Sequence, residues 1–504
     1  MQKNMESERD NGYSHVLKYT GIFGGVQGLN ILISLVRNKV VASILGPGGM
    51  GLVALFNSVI TFISQATNLG VSFSAVRHVS ELYDEGGGER LEHFVKIVRG
   101  WSLLTALMGM LVCVVAGPLL SSYTFSWGDH TLHFVLLAPA VALLALTGGE
   151  AAILKGCRQL KALAAIQVLN VLAALIVAVP IYYFFGESGI VPVIVLTALA
   201  AMVITIRYSL RLFPLRLKGA NGILGEGMEM VRLGVAFVLA GILGSGAEMF
   251  IRSYLNIHGN LDTVGLYNAA FLLTITYGSM VFSAMETDYF PRLSATTADR
   301  VKMSETVNRQ IEVSLLLISP MLAVFIVLLP VLVPLLFSSD FTAMVPMAQV
   351  MVLAMYLRAV TLPISYTVLA HGDSLFYLII EGTDSLLLVA LVLVGYTHWG
   401  LLGIGLALVA SYVVDLVIIS LFTRWRYGYT MSRPMLSIAA QQLPLGLAVY
   451  MVTLTENPVL YWTVGAGLCG ISCCLSYRIL RQKSRLWNAL TNKVKHYFKK
   501  HGKG

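Results

Sequence analysis

The sequence predicts an all-α, polytopic membrane protein of about 14 transmembrane helices, and three observations predict it. Of 504 residues 57% are hydrophobic and only 12% are charged, about half the quarter usual in soluble proteins. The mean hydropathy is +0.76. Apolar runs long enough to span a bilayer recur from end to end. Too little charged surface remains to solvate a soluble body of this size, which excludes a soluble enzyme, a disordered chain and a nucleic-acid-binding domain.

Taken in order, the expected spans lie near residues 17–44, 51–75, 97–118, 131–153, 163–185, 189–209, 233–256, 264–286, 313–336, 345–369, 374–396, 400–422, 436–454 and 459–477. Turn signals separate them: Gly46-Pro47-Gly48-Gly49 after the first, Gly186 to Gly189 after the fifth, His258-Gly259-Asn260 after the seventh, His371-Gly372-Asp373 after the tenth and Glu456-Asn457-Pro458 after the thirteenth. The organisation expected is a cytoplasmic N-terminal segment 1–16, a six-helix bundle 17–212, a cytoplasmic linker 213–232, a second six-helix bundle 233–423, helices 13 and 14 within 436–477, and a basic cytoplasmic tail 478–504. The first residues carry Glu6, Glu8, Arg9 and Asp10 and lack a cleavage pattern, so the first helix is expected to stay in the membrane.

Positive charges test this topology independently. Of the 35 Lys and Arg, all but Arg37, Lys39, Arg252 and Arg358 fall on the side that holds both termini. That asymmetry is the positive-inside pattern and makes both termini cytoplasmic. For the basic tail it implies attraction to anionic lipid. An offset of 214 places Gly51-Leu52 on Gly265-Leu266 and brings Arg37 within one position of Arg252, suggesting two repeats of six helices related by an axis along the membrane normal, with a central cavity between them.

Charged residues inside spans are costly and tend to face a cavity or a partner. In the first span Gln27, Asn30, Ser34, Arg37 and Asn38 share an arc of about 100°, which Lys39 leaves. The second carries Asn57, Thr61, Ser64, Gln65, Asn68 and Ser72 at helical spacing. The seventh carries Ser245, Glu248, Arg252 and Asn256, and the eighth Thr276, Ser279, Ser283, Glu286 and Thr287. Polar side chains also serve as glue between helices, but four full-length stripes suggest a wet cavity. Arg37 and Arg252 would give that cavity two permanent cations suited to phosphate oxygens. Glu248, four residues before Arg252, reads either as a partner that allows burial or as a carboxylate that phosphate displaces. Arg358 stands with Thr361 and Ser365, while Asp384 and Asp415 either pair with Arg358 or couple transport to cations. Glu150 is expected to pair with Lys155 at the interface, and His130 and His133 to lie in a solvated loop.

No catalytic constellation emerges, so neither enzymatic activity nor a cofactor or metal is expected. Gly222 to Gly227 and Gly241 to Gly246 are neither a P-loop nor a dinucleotide fingerprint, because no strand precedes them. Cys113, Cys157, Cys469, Cys473 and Cys474 form no CxxC motif and read as small packing residues.

The run from Arg37 through Lys39 and Gly46-Pro47 to Gly51-Leu52 resembles the first hairpin of Wzx-type flippases, especially enterobacterial common antigen flippases, with Lys39 at the matching lysine. Tyr289-Phe-Pro291-Arg-Leu-Ser294 and Ser338 to Met344 resemble further segments, and Arg252 matches a family arginine. The resemblance, to the polysaccharide-exporter branch of the multidrug/oligosaccharidyl-lipid/polysaccharide (MOP) superfamily, implies two six-helix bundles. It implies passage of an undecaprenyl-pyrophosphate-linked oligosaccharide, an O-antigen or related glycan unit, from the inner to the outer leaflet of the bacterial inner membrane. The implied partners are that glycolipid and membrane lipid, with a polysaccharide polymerase and chain-length proteins as further candidates. On that reading Arg37 and Arg252 face pyrophosphate, Lys39 assists at the outer side, Gln27, Asn30, Asn57, Gln65 and Asn68 contact sugar, and Arg358 is a further substrate-binding residue. Helices 13 and 14 depart from twelve-helix members of the family. Two alternatives stay open: a cation-coupled MATE-type drug exporter, and a non-transporting scaffold for glycan polymerisation.

Overall fold

A computed structural model describes residues 2–125, 127–214 and 223–483. The linker around Arg216 and the tail beyond residue 483 lie outside the described residues, as do the side chains of residues 1–24. Among those described there is no strand. Fifteen α-helices follow in order: α1 (Gln2–Thr67), α2 (Val71–Asp84), α3 (Glu89–Val115), α4 (Gly117–Thr124), α5 (Thr131–Gly156), α6 (Leu160–Phe185), α7 (Ile190–Leu210), α8 (Ile223–His258), α9 (Leu261–Phe271), α10 (Tyr277–Ser294), α11 (Arg300–Leu336), α12 (Val345–Ala370), α13 (Ser374–Tyr427), α14 (Arg433–Thr453) and α15 (Pro458–Lys483).

These combine into the fourteen rods that hydropathy predicts. α1 is two helices broken at Gly46, whose φ of 65° a side chain would resist, and Pro47 then opens the second helix without needing an N–H partner. α13 breaks likewise at Gly400, φ 57°. A π-helical turn, Leu272–Thr276, joins α9 to α10, and α2 continues the second half of α1. Nine continuous stretches among the described residues are long and apolar enough to cross a membrane, three of them holding two helices each. α8 and the α9–α10 rod complete the set.

Packing divides the chain into two compact units. The first comprises Met1–Ala269, Val333–Met344 and Ser374–Leu393; the second comprises Ala270–Leu332, Val345–Asp373 and Val394–Gly504. In the first unit Val79, Val95, Ile97, Val98, Trp101 and Ile153 form a dry core among α2, α3 and α5. Small residues set the spacing there: a Cβ on Gly149 would lie 1.9 Å from Ser102 Oγ and one on Gly156 2.5 Å from Val79. Gly51 and Gly265, the positions paired by the 214-residue offset, meet backbone to backbone. A Cβ on Gly51 would stand 2.1 Å from the Leu261 carbonyl, and one on Gly265 1.9 Å from that of Pro47.

Glu150 forms its ion pair with Arg99, not with Lys155. Arg99 Nε and Nη2 donate to its two carboxylate oxygens at 2.8 and 3.2 Å, and the Ser209 hydroxyl donates to Oε2 as well. The clamp ties α3, α5 and α7 together. Lys155 stands on the exposed side of its own helix, whereas the Glu150 carboxylate points inward, 10% exposed.

His130 is not solvated either. It is 7% exposed, stacked on Phe125 at 4.1 Å between ring centroids, edge-on to Trp127 at 4.4 Å and 5.0 Å from His133. The apolar Phe125 and Trp127 rings fold the loop inward over Phe56, which hydropathy of a short loop does not foretell. Burial, and then repulsion from His133, hold the His130 pKa below its ordinary 6.5, against the Trp127 carbonyl and Asp129, which favour the charged ring. The folded state therefore binds the proton less tightly than the unfolded chain. Its contribution to stability is complete above pH 6.5 and is lost as pH falls through the depressed value. Thermal unfolding should accordingly lose more on acidification from neutrality in the parent than in His130→Phe; equal losses would remove this histidine as the cause.

In the second unit polar contacts bind α14 and α15 to the rest. Tyr461 donates to the Val327 carbonyl at 3.0 Å and accepts from Gln349 at 3.2 Å. Gln442 and Ser472 bond at 2.9 Å between the last two helices, and a Cβ on Gly446 would meet the Tyr356 ring at 2.7 Å. Cys113, Cys157 and Cys469 are buried as expected of packing residues, whereas Cys473 and Cys474 are exposed on α15.

Candidate functional site

A cavity of about 550 Å³ lies in the first unit, lined by Thr61, Ser64, Gln65, Asn68, Gly70, Ser72, Leu144, Ala145, Val238 and Gly241. Five of these side chains belong to the polar stripe of the second predicted span. The backbone turns where α1 gives way to α2, with Leu69 at φ 50° and Gly70 at φ 76°. A leucine in the left-handed region costs about 1–3 kcal/mol and persists only where surrounding packing enforces it. The turn keeps Asn68 and Ser72 on one wall, where their side chains bond at 2.9 Å. Gly241 of α8 also lines the cavity, and a Cβ there would meet only the Gln65 side chain, at 3.4 Å from Oε1. The lining offers hydroxyls and amides, which both donate and accept, and includes no charged side chain.

The predicted cations stand elsewhere. Arg252 lies eleven residues beyond Gly241 on α8, about 16 Å along the axis. Its side chain is 8% exposed, and Nη1 meets Glu248 Oε2 at 2.8 Å. Nη2 donates to Asn268 Oδ1 at 3.5 Å, and the guanidinium sits 5.8 Å from the Tyr267 ring centroid. Glu248 is 48% exposed, so its carboxylate keeps half its contact with the surroundings. Arg37 is half-buried and donates to Asn38 Oδ1 at 3.2 Å. Both arginines lie toward the end of the unit where Gly51 meets Gly265, away from the cavity.

Lys39 donates through Nζ to the Pro334 carbonyl at 2.8 Å. That carbonyl belongs to the last turn of α11, where carbonyls lack helical partners and cations are favoured. Asn30 is buried, with Oδ1 unbonded among the described residues. Asn57 is exposed and donates to the Val53 carbonyl at 3.0 Å. Arg358, in the second unit, donates to the Tyr412 hydroxyl at 3.1 Å, while Asp384 and Asp415 are half-buried on α13. The side chains of Gln27, Ser283, Glu286 and Thr287 lie outside the described residues. Sequence reasoning missed Gly241, Asn268 and Tyr267. The first was read as part of a glycine-rich run, and the others show no periodic signal because they reach Arg252 of α8 from another helix, α9.

Fold and cavity together define a polytopic integral membrane protein with a solute-sized polar cavity among its helices. The sequence narrows that class: residues 40–346, more than half of the chain, match the family described as "Polysaccharide biosynthesis protein", and the chain belongs to that family. It is 24% identical over 416 residues to the lipid III flippase of Escherichia coli (strain K12), covering 78% of this chain and 94% of that protein. The lipid III flippase of Shigella flexneri aligns with the same identity and coverage. Among solved structures it is similar to the lipid II flippase MurJ in an inward closed conformation, with TM-score 0.69 and 13% identity over 92% of this chain and 99% of that one. It is also similar to an inward-facing MATE family multidrug resistance transporter of the MOP superfamily, with TM-score 0.66 and 18% identity over 79% and 94% of the two chains. These structural likenesses concern the fold.

Proposed function

We propose that the protein is a flippase that carries an undecaprenyl-pyrophosphate-linked oligosaccharide from the inner to the outer leaflet of the bacterial inner membrane by alternating access, with both termini cytoplasmic. The observation that carries this reading is the uncharged, hydroxyl- and amide-lined cavity. Sugars cannot cross hydrocarbon unaided because each hydroxyl would lose its water, and Thr61, Ser64, Gln65, Asn68 and Ser72 replace that water with fixed partners. The lipid III flippases among its relatives support the same substrate class. Membership of a polysaccharide biosynthesis family fits a place beside a polymerase and chain-length proteins.

The prenyl chain stays in lipid while the headgroup crosses. Sugars dock first in the cavity, and the pyrophosphate reaches Arg37 and Arg252 as the headgroup advances toward the far end of the unit. Glu248 holds Arg252 until phosphate oxygens take its place. A MATE-type exporter of cationic drugs calls for acids or aromatics in the cavity, and this lining has neither.

Filling the cavity tests the reading. Gly241→Leu puts its side chain into the cavity and its Cβ meets only Gln65, at 3.4 Å, so the fold should survive while transport of fluorescent lipid-linked oligosaccharide between leaflets of reconstituted vesicles falls at least tenfold, as for loss of about 1.4 kcal/mol of binding. Unchanged transport in that variant would place the sugar path elsewhere. No transport by the parent protein would favour the scaffold.

A further inference from the structure

The polar start of α11 forms a second cavity, in the second unit, that transport as proposed does not use. Its volume is about 610 Å³, and it is lined by Arg300, Ser304, Glu305, Asn308, Arg309 and Glu312 of α11 together with Gly428, Thr430 and Ser432 of the segment between α13 and α14. Asn308, 5% exposed, builds the floor. Its Nδ2 donates to the Thr430 carbonyl at 2.8 Å, and its Oδ1 accepts from the Tyr429 hydroxyl at 3.0 Å and the Ser432 N–H at 3.2 Å. Gly428, at φ 73°, brings the segment so close that a Cβ would lie 3.0 Å from Arg300 Cδ. The cleft is therefore prebuilt by bonds that involve neither Glu305 nor Arg309.

Those charges carry the inference. Glu305 and Arg309 stand at the i, i+4 spacing that favours an ion pair on a helix. Arg77 and Glu81 close the same spacing at 2.8 Å. Yet Arg300, Glu305 and Arg309 make no ion pair among the described residues. The lining holds two guanidinium groups and two carboxylates, so a simple anion would meet as much repulsion as attraction. A ligand with a positive and a negative group separated by a short bridge can set each group against the opposite sign, because Glu305 and Arg309 lie one turn apart, where Cβ atoms stand about 5–6 Å from each other.

Depth points to the source of such a ligand. Every charge of α11 precedes Val313, and none follows as far as Leu336, which puts the cleft at the boundary between hydrocarbon and headgroups. Trp425, 78% exposed on the last turn of α13, marks the same level in the manner of interfacial aromatics. We propose that the cleft binds the phosphoethanolamine group, with Arg300 and Arg309 on the phosphate and Glu305 on the ammonium. The group arrives either on a phospholipid or as the free soluble compound. The site stands independently of glycolipid transport.

The experiment takes the full chain from vesicles containing equal phosphatidylethanolamine and phosphatidylglycerol and weighs the lipid retained by native mass spectrometry. Phosphatidylethanolamine should be retained in preference. Retention should fall about tenfold in Arg309→Ala and in Glu305→Gln, as for one hydrogen bond to a charged group. Glu305 and Arg309 are both exposed, so the fold tolerates these changes. A second arm adds soluble phosphoethanolamine to lipid-depleted protein and reads thermal unfolding. Stabilisation there that both variants lose, without lipid preference in the first arm, would keep the site and make the soluble compound its ligand. Retention of phosphatidylglycerol at least as strong as that of phosphatidylethanolamine, with no soluble effect, would overturn the proposal, as would retention indifferent to both substitutions.

Discussion

Glu150→Ala should lower the unfolding temperature of the purified protein more than any other single charge removal in the first unit. Its carboxylate is 10% exposed and the Arg99 side chain 14%, so removing the acid strands a guanidinium among α3, α5 and α7. Breaking a buried pair from one side costs about 3–5 kcal/mol, whereas replacing both members with apolar residues of similar volume is often neutral or better. Arg99→Met combined with Glu150→Leu should therefore recover most of what the single change loses. The comparison is decisive because only the single variant leaves an uncompensated guanidinium behind. If the double variant is as unstable as the single one, the clamp supplies net binding energy beyond mere charge compensation. If Glu150→Ala is neutral, the pair is solvated and the interhelical clamp is not a structural element. Cells should report the same order through abundance, since one or two kcal/mol changes steady-state levels several-fold.

The Glu150 case also shows what the sequence conceals. Hydropathy located all fourteen rods because insertion into lipid depends on composition summed over a span, and composition is local. It misplaced their ends where a helix outruns its apolar stretch: α11 begins at Arg300, thirteen residues before the expected start, since backbone hydrogen bonds continue into water. The stripe from Thr61 to Ser72 was legible because helical periodicity places its members on one face. Partners across helices were not. Arg99 lies 51 positions from Glu150 and counted only as an interfacial positive charge. Lys39 matched a family lysine, yet its ammonium caps α11 at Pro334, a contact 295 positions away. His130 looked like loop polarity because nothing in a short polar segment announces that Phe125 and Trp127 will cover it.

Arg252→Ala should reduce glycolipid transport by about ten- to a hundredfold while leaving the protein inserted and folded. The range follows from losing one hydrogen bond to a charged phosphate, worth about 1.5–3 kcal/mol. Stability should hardly change, because the group left behind is Glu248, already 48% exposed, and no buried charge is orphaned. In this respect Arg252 and Arg99 are opposites, although each pairs with a glutamate at 2.8 Å. Arg252→Lys keeps the charge but loses the planar fork that grips two oxygens at once, so it should fall between the parent and the alanine variant. Glu248→Gln removes the competitor for the guanidinium without removing the cation, and transport should persist or quicken. Vesicle assays normalised to folded protein separate these cases. Full activity in Arg252→Ala would sink the role in pyrophosphate binding. A loss that tracks the amount of folded protein would reduce Arg252 to the partner that lets α8 bury its polar face beside Asn268 and Tyr267.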